Sequence, residues 1–194
     1  MAMARKNEFK PDKPRSGLLN KLYLTQKQRR SLLKWGLYTL VLVLLSVLQD
    51  VILSRYTLFG ANTDLVPCGI FLICILEGME SGSVFCLVAS LVYLFSGTAA
   101  GPYCVVFITF LGVWAAFIRQ SYLQKGFGAA TLCTGACVLI YELLVFVFVL
   151  FLGLTTLNRV GVFLITGVVS ALAAPLLYPA VHFIGTIGGE TWKE

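Results

Sequence analysis

DLVPCGIFLICILEGMESGSVFCLVASLVYLFSGTAAGP, residues 64–102, is apolar almost throughout and is interrupted around Glu77–Ser81 and again at Ser96–Pro102. Taken as one helix it crosses a bilayer once and inverts everything after it. Taken as two, it crosses and returns. Glu77 and Glu80, set among Gly78 and Gly82, favour a turn between two spans. Pro67 falls in the first turn of the first piece, where a proline removes no intrahelical hydrogen bond. The second piece closes in SGTAAGP, where Gly97, Gly101 and Pro102 permit a tight reversal.

Working outward, WGLYTLVLVLLSVLQDVIL at 35–53 reads as a first span and YCVVFITFLGVWAAFI at 103–118 as a fourth. Residues 127–153 offer a fifth span longer than a bilayer requires, so it tilts or extends beyond the lipid. Residues 161–185 make a sixth, broken or kinked by Pro175 and Pro179. Across 194 residues, 58% are hydrophobic and 12% charged, with a mean hydropathy of +0.87, which excludes a soluble domain with a polar surface. The expected fold is therefore all-α, a polytopic integral membrane protein of six transmembrane helices. Its expected organisation is a basic tail at 1–34, a six-helix membrane domain at 35–187 and a short tail at 188–194.

Charge sets the expected orientation. Ten of the fifteen Lys and Arg lie within the first 34 residues, and the positive-inside rule places such a tail in the cytoplasm. With six spans both termini are cytoplasmic, thirteen cations fall inside and Arg55 and Arg159 outside. Residues 17–34, GLLNKLYLTQKQRRSLLK, read as a juxtamembrane amphipathic helix whose Lys27, Arg29, Arg30 and Lys34 meet an anionic inner leaflet. The basic run is too long for a secretory signal, and no A-x-A cleavage pattern follows the first apolar stretch. Without interleaved aromatics, the tail gives no nucleic-acid motif.

Gly78, Gly82, Cys86 and Ser90 recur at four-residue spacing, so one side of the third span is nearly flat. In lipid, where apolar surface gains little from association, such a face allows close helix packing. The six cysteines all fall in apolar runs, where a thiol acts as a small hydrophobe, and neither a disulfide nor a metal site is expected.

Three pieces carry a family resemblance: TDLVPCGIFL at 63–72, GMESG at 78–82 and SLVYLFSGTAAGP at 90–102. Together they resemble MreD, the polytopic subunit of the bacterial rod-shape machinery, over roughly residues 35–185. The resemblance implies a non-catalytic scaffold that associates with the bitopic protein MreC. Through it the chain would be linked to MreB filaments, to the glycosyltransferase RodA and to a class B penicillin-binding transpeptidase. Family members commonly have Gly and Asp where this chain has Ser90 and Tyr93, so the work of that Asp is absent here or done by another group.

Among polar groups, Glu142 stands alone in the middle of the fifth span, where an ionised carboxylate costs about 3 kcal/mol. One reading is a proton- or ligand-linked group; the other is a carboxyl hydrogen-bonded to a Ser, Thr or Tyr of a neighbouring span. Asp50 with Gln49, Asp64, Glu77 and Glu80 sit near span ends as interfacial or capping groups, with Asp64 placed for the N-terminus of the second span. His182, the one histidine, lies near the end of the last span. No phosphate loop, metalloprotease motif or nucleophile elbow occurs, so neither enzyme nor cofactor is expected. The alternative reading is the substrate-binding subunit of an energy-coupling-factor vitamin transporter, although the first span lacks the Ala-x-x-x-Ala-like face those proteins commonly use. In a cysteine-free variant, single cysteines at Asn62, Ala99 and Asn158 are expected to react with an impermeant reagent on intact cells. Reaction at Gln124 instead would overturn the topology.

Overall fold

The structure, a computed structural model, describes residues 26–51, 53, 63–122 and 126–187. The tail before Gln26, the Lys27 side chain, residues 54–62 between α1 and α2 and residues 188–194 lie outside the described residues. Six α-helices follow in order: α1 Gln26–Val51, α2 Leu65–Glu77, α3 Met79–Phe95, α4 Tyr103–Tyr122, α5 Phe127–Phe151 and α6 Val160–Ile187, the last preceded by a 3-10 turn at Leu157–Arg159. No strand occurs among the described residues. Four helices, α1, α4, α5 and α6, are long and apolar enough to cross a membrane, which gives the chain the character of a membrane protein.

The two shorter helices organise the rest. α2 has 13 residues, a length of about 20 Å at 1.5 Å per residue, against a hydrocarbon layer of about 30 Å. Every residue from Leu65 to Leu76 is buried. α2 touches each of the other five helices, and these close a ring around it in the order α1, α3, α4, α5, α6 and back to α1. A helix apolar on all sides must be surrounded by something apolar; here it is surrounded by protein. Its uniform Leu, Ile, Val, Phe and Cys surface presents no stripe, because it has no outward side.

α2 and α3 are joined through a single residue. Gly78 has φ +86°, a left-handed conformation that side chains rarely adopt, and its N–H still bonds to Cys74 O at 3.1 Å. The expected turn over Glu77–Ser81 is therefore shorter: Met79, Glu80 and Ser81 already belong to the first turn of α3. Gly78 accordingly leaves the packing face. A Cβ there would meet nothing within 4 Å, and its requirement is conformational. Gly82 is the close-approach residue, because a Cβ on it would lie 2.6 Å from Cys74 O, a backbone atom of α2. The buried face continues through Cys86, Ala89, Ser90 and Tyr93. Opposite it stands Gly112 of α4, where a Cβ would come within 2.5 Å of Cys86 Sγ.

At the far end of α3, Gly97 takes φ +79°, and Gly101 leaves room for the Tyr103 ring, which a Cβ would approach to 2.5 Å. Pro102 stands immediately before α4, whose first turn opens with Cys104 N–H to Gly101 O and Val105 N–H to Pro102 O. α1 runs without interruption through the boundary drawn at residues 34 and 35. α6 likewise stays one helix with Pro175 and Pro179 inside it; both prolines are exposed. The cysteines are all free.

Gly82→Ala is expected to lower the stability of the folded chain in detergent by about 1–3 kcal/mol, read as a fall in thermal midpoint. Gly36→Ala, whose Cβ would meet nothing within 4 Å, is the reference that keeps or raises it. Equal midpoints for the two variants would mean that α2 and α3 do not make this contact.

Candidate functional site

A helix that ends inside protein leaves its terminal N–H and C=O groups without intrahelical partners, and the helices packed around it leave little room for water to satisfy them. Both ends of α2 meet this requirement with side chains from the surrounding ring. At the amino end Gln49, buried near the end of α1, accepts the N–H groups of Leu65 at 3.0 Å and Val66 at 3.2 Å on its Oε1. Its Nε2 donates to Asp64 Oδ1 at 2.8 Å. The Asp64 N–H donates in turn to Ser170 Oγ of α6 at 2.8 Å.

This corrects the expectation that Asp64 caps α2. Asp64 occupies the N-cap position, yet its side chain makes no capping bond. Its Oδ1 is engaged by the Gln49 amide, so the capping oxygen belongs to Gln49. Sequence proximity favoured Asp64; only the fold brings Gln49 across from α1.

Beside this cap stands Glu142 of α5. Its side chain is buried, with 4% of the residue exposed, and its carboxyl interacts with that of Asp64. Its Oε1 has no hydrogen-bond partner. Tyr93 of α3 and Tyr141 of α5, both buried, complete the group: Tyr93 interacts with Asp64, and Tyr141 with Cys104 at the start of α4. The reading in which a Ser, Thr or Tyr satisfies Glu142 is not what the geometry presents at Oε1; its neighbour is a second carboxyl.

The carboxyl end of α2 carries the opposite charge. Arg119 of α4 donates through one guanidinium nitrogen to Ile75 O and Leu76 O. Glu77 accepts from Tyr38 OH at 2.6 Å and forms an ion pair with Lys34 at 2.5 Å, both side chains almost fully buried. Trp35 and Phe85 flank Tyr38, with ring centroids 5.8 and 6.0 Å away. Lys34 is therefore not a headgroup cation. The turn at Gly78 delivers Glu77 to α1, and an ammonium beside a buried carboxylate is held there in preference to solvent. Arg29 and Arg30 remain exposed. His182 stacks on Tyr178 at 5.4 Å between ring centroids.

Among the described residues no three His, Cys, Asp or Glu side chains gather as a metal-binding group. Comparison of the chain with protein-family models, with curated proteins and with solved structures gives no match. The site stands on its geometry: a polar chain from α1 through α2 to α6, with an acid from α5 facing it.

Gln49→Leu is expected to leave two buried N–H groups without an acceptor, at about 1–3 kcal/mol each. The measurement is thermal unfolding of the purified chain, with Val47→Leu, at an exposed apolar position of α1, as the reference that moves little. Equal stability of Gln49→Leu and the wild type would remove Gln49 from the cap.

Proposed function

We propose that the chain is a non-catalytic membrane scaffold of the bacterial cell-elongation machinery, crossing the plasma membrane six times with both termini in the cytoplasm. In this reading it holds an MreC-like bitopic protein by helix packing. It thereby connects MreB filaments with RodA and a class B penicillin-binding transpeptidase. The MreD-like motifs are one support, and they map onto structurally demanding places: the capped start of α2, the single-residue hinge at Gly78, and the reversal from Ser96 to Pro102. Where relatives commonly have an Asp, Tyr93 stands beside Asp64, so a carboxyl reaches this spot from α2.

The observation that carries the reading is the location of open space. The crevice between α1 and α3, bordered by Tyr93 and Val66, encloses about 40 Å³, far below the ~300 Å³ lower bound of small-molecule pockets. On the outside, between α5 and α6, runs an open trough of about 460 Å³ floored by small residues including Gly135, Ala136 and Ala171 and edged by Leu132 and Leu172. Small residues at a lipid-facing surface let a further helix approach closely. A central helix buried along its length, with a groove on the outside of the bundle, favours binding another membrane helix over enclosing a vitamin, the alternative reading.

Ala136 is exposed, so Ala136→Phe should fill the trough without disturbing the bundle. Replacing the native gene with this variant is expected to reduce co-purification of the MreC-like partner about tenfold, equivalent to about 1.4 kcal/mol, and to widen the cells. Leu44→Phe, on the exposed face of α1, should do neither. Normal partner recovery and width with Ala136→Phe would overturn the docking, and loss of vitamin uptake at normal width would favour the transporter.

A further inference from the structure

Two carboxyls meet at the amino end of α2, and no described cation is among the groups that act on them. Lys34 and Arg119 are committed to the opposite end of that helix, about 20 Å away. Two ionised carboxylates in contact inside a medium of low dielectric repel strongly and lack the solvation that would offset it. Among the described residues none supplies a positive charge to the pair, and a proton held on one carboxyl removes the repulsion.

The surroundings distinguish the two acids. Asp64 has an amide donor on Oδ1 from Gln49 at 2.8 Å and stands at the N-terminus of α2, where the helix dipole favours negative charge. It is also only partly buried. Glu142 is 4% exposed, has an Oε1 without any donor, and lies against aliphatic neighbours: its Cγ would be 3.4 Å from a Cβ placed on Gly167. The groups facing the pair from the other elements are the Gln49 amide from α1, Tyr93 from α3, Cys104 from α4, Tyr141 from α5 and the Ser170 hydroxyl from α6. None of these carries positive charge.

We propose that Asp64 and Glu142 form a binding site for one proton, carried on the Glu142 carboxyl, donated in a hydrogen bond to Asp64 and exchanged with water through the partly exposed Asp64. Occupation forms one O–H bond on Glu142 and takes up one proton, and no bond in the protein is broken. The bridging O–H···O⁻ bond ties α5 to the cap of α2, so the proton also fastens the outer helix that edges the trough to the central one. The site stands whether or not the chain is a scaffold.

The test is infrared spectroscopy of the full chain in lipid nanodiscs at neutral pH, in buffer whose cation is too bulky to enter. A carbonyl stretching band of a protonated carboxyl is expected, moving in heavy water. It should shift when the protein is made with carboxyl-labelled glutamate and stay in place with labelled aspartate. Glu142→Gln, with the same shape and an amide donor toward Asp64, should keep the helical spectrum and lose the band. Asp64→Asn should keep the band at a higher frequency, because the acceptor is no longer charged. The labelled wild type gives the answer even if a variant fails to fold. Absence of the band in the wild type, a band that follows labelled aspartate, a band unmoved by Asp64→Asn, or one abolished by sodium or potassium, which would mean an alkali metal ion, each overturns the proposal.

Discussion

A backbone end inside a membrane protein has few ways to be satisfied, and α2 has two such ends. Its N–H groups at Leu65 and Val66 go to Gln49, and its carbonyls at Ile75 and Leu76 go to Arg119. Each cap fixes a neighbour in register: the first sets the depth of α1, the second that of α4. The bond from Asp64 N–H to Ser170 Oγ fixes α6 in the same way. Dispersion between close-packed faces holds α3 against α2 at Gly82 and against α4 at Gly112. The arrangement of the ring thus follows from the requirement to bury a short helix completely.

That requirement was only half visible in the residues. The spacing of Gly82, Cys86 and Ser90 marks a packing face because small side chains have little other use at regular spacing on a membrane helix. The centrality of α2 leaves no comparable mark: an all-round apolar surface reads the same whether its surroundings are lipid or protein. Its shortness is the one signal that could have separated the two, since a helix of 13 residues reaches lipid headgroups on neither side without distortion. Gly112, the counterpart of Cys86, has a single small partner at four-residue spacing, Ala116, too short a pattern to mark a face, and the packed structure explains it.

The polar groups divide along the same line. Glu142 is conspicuous in sequence because nothing polar surrounds it, yet its partner Asp64 looks like an ordinary helix start. Lys34 looks like one more cation of a basic tail until the hinge at Gly78 brings Glu77 against it. In both cases the deciding contact joins different helices, and local patterning carries no information about it. Asp64 and Gln49 exchange their expected capping roles for a similar reason: a side chain already engaged as an acceptor elsewhere is not free to cap.

Charge along α2 is ordered by sign, with Asp64 and Glu142 at its amino end and Lys34 and Arg119 at its carboxyl end, where the acid Glu77 is ion-paired. This matches the helix dipole at both termini, and inside a bundle, where screening by salt is weak, such matching acts over a longer range than at a surface. It also agrees with the distribution of charge in the whole chain. The cationic end of α2 is the end reached by the start of α1, which continues from the basic tail. A bundle inserted with that tail on the cytoplasmic side therefore has its buried cations on the same side as those of the tail. In that orientation, topology set by the loops and electrostatics set by the core would favour the same arrangement, with the acid pair toward the other side of the membrane.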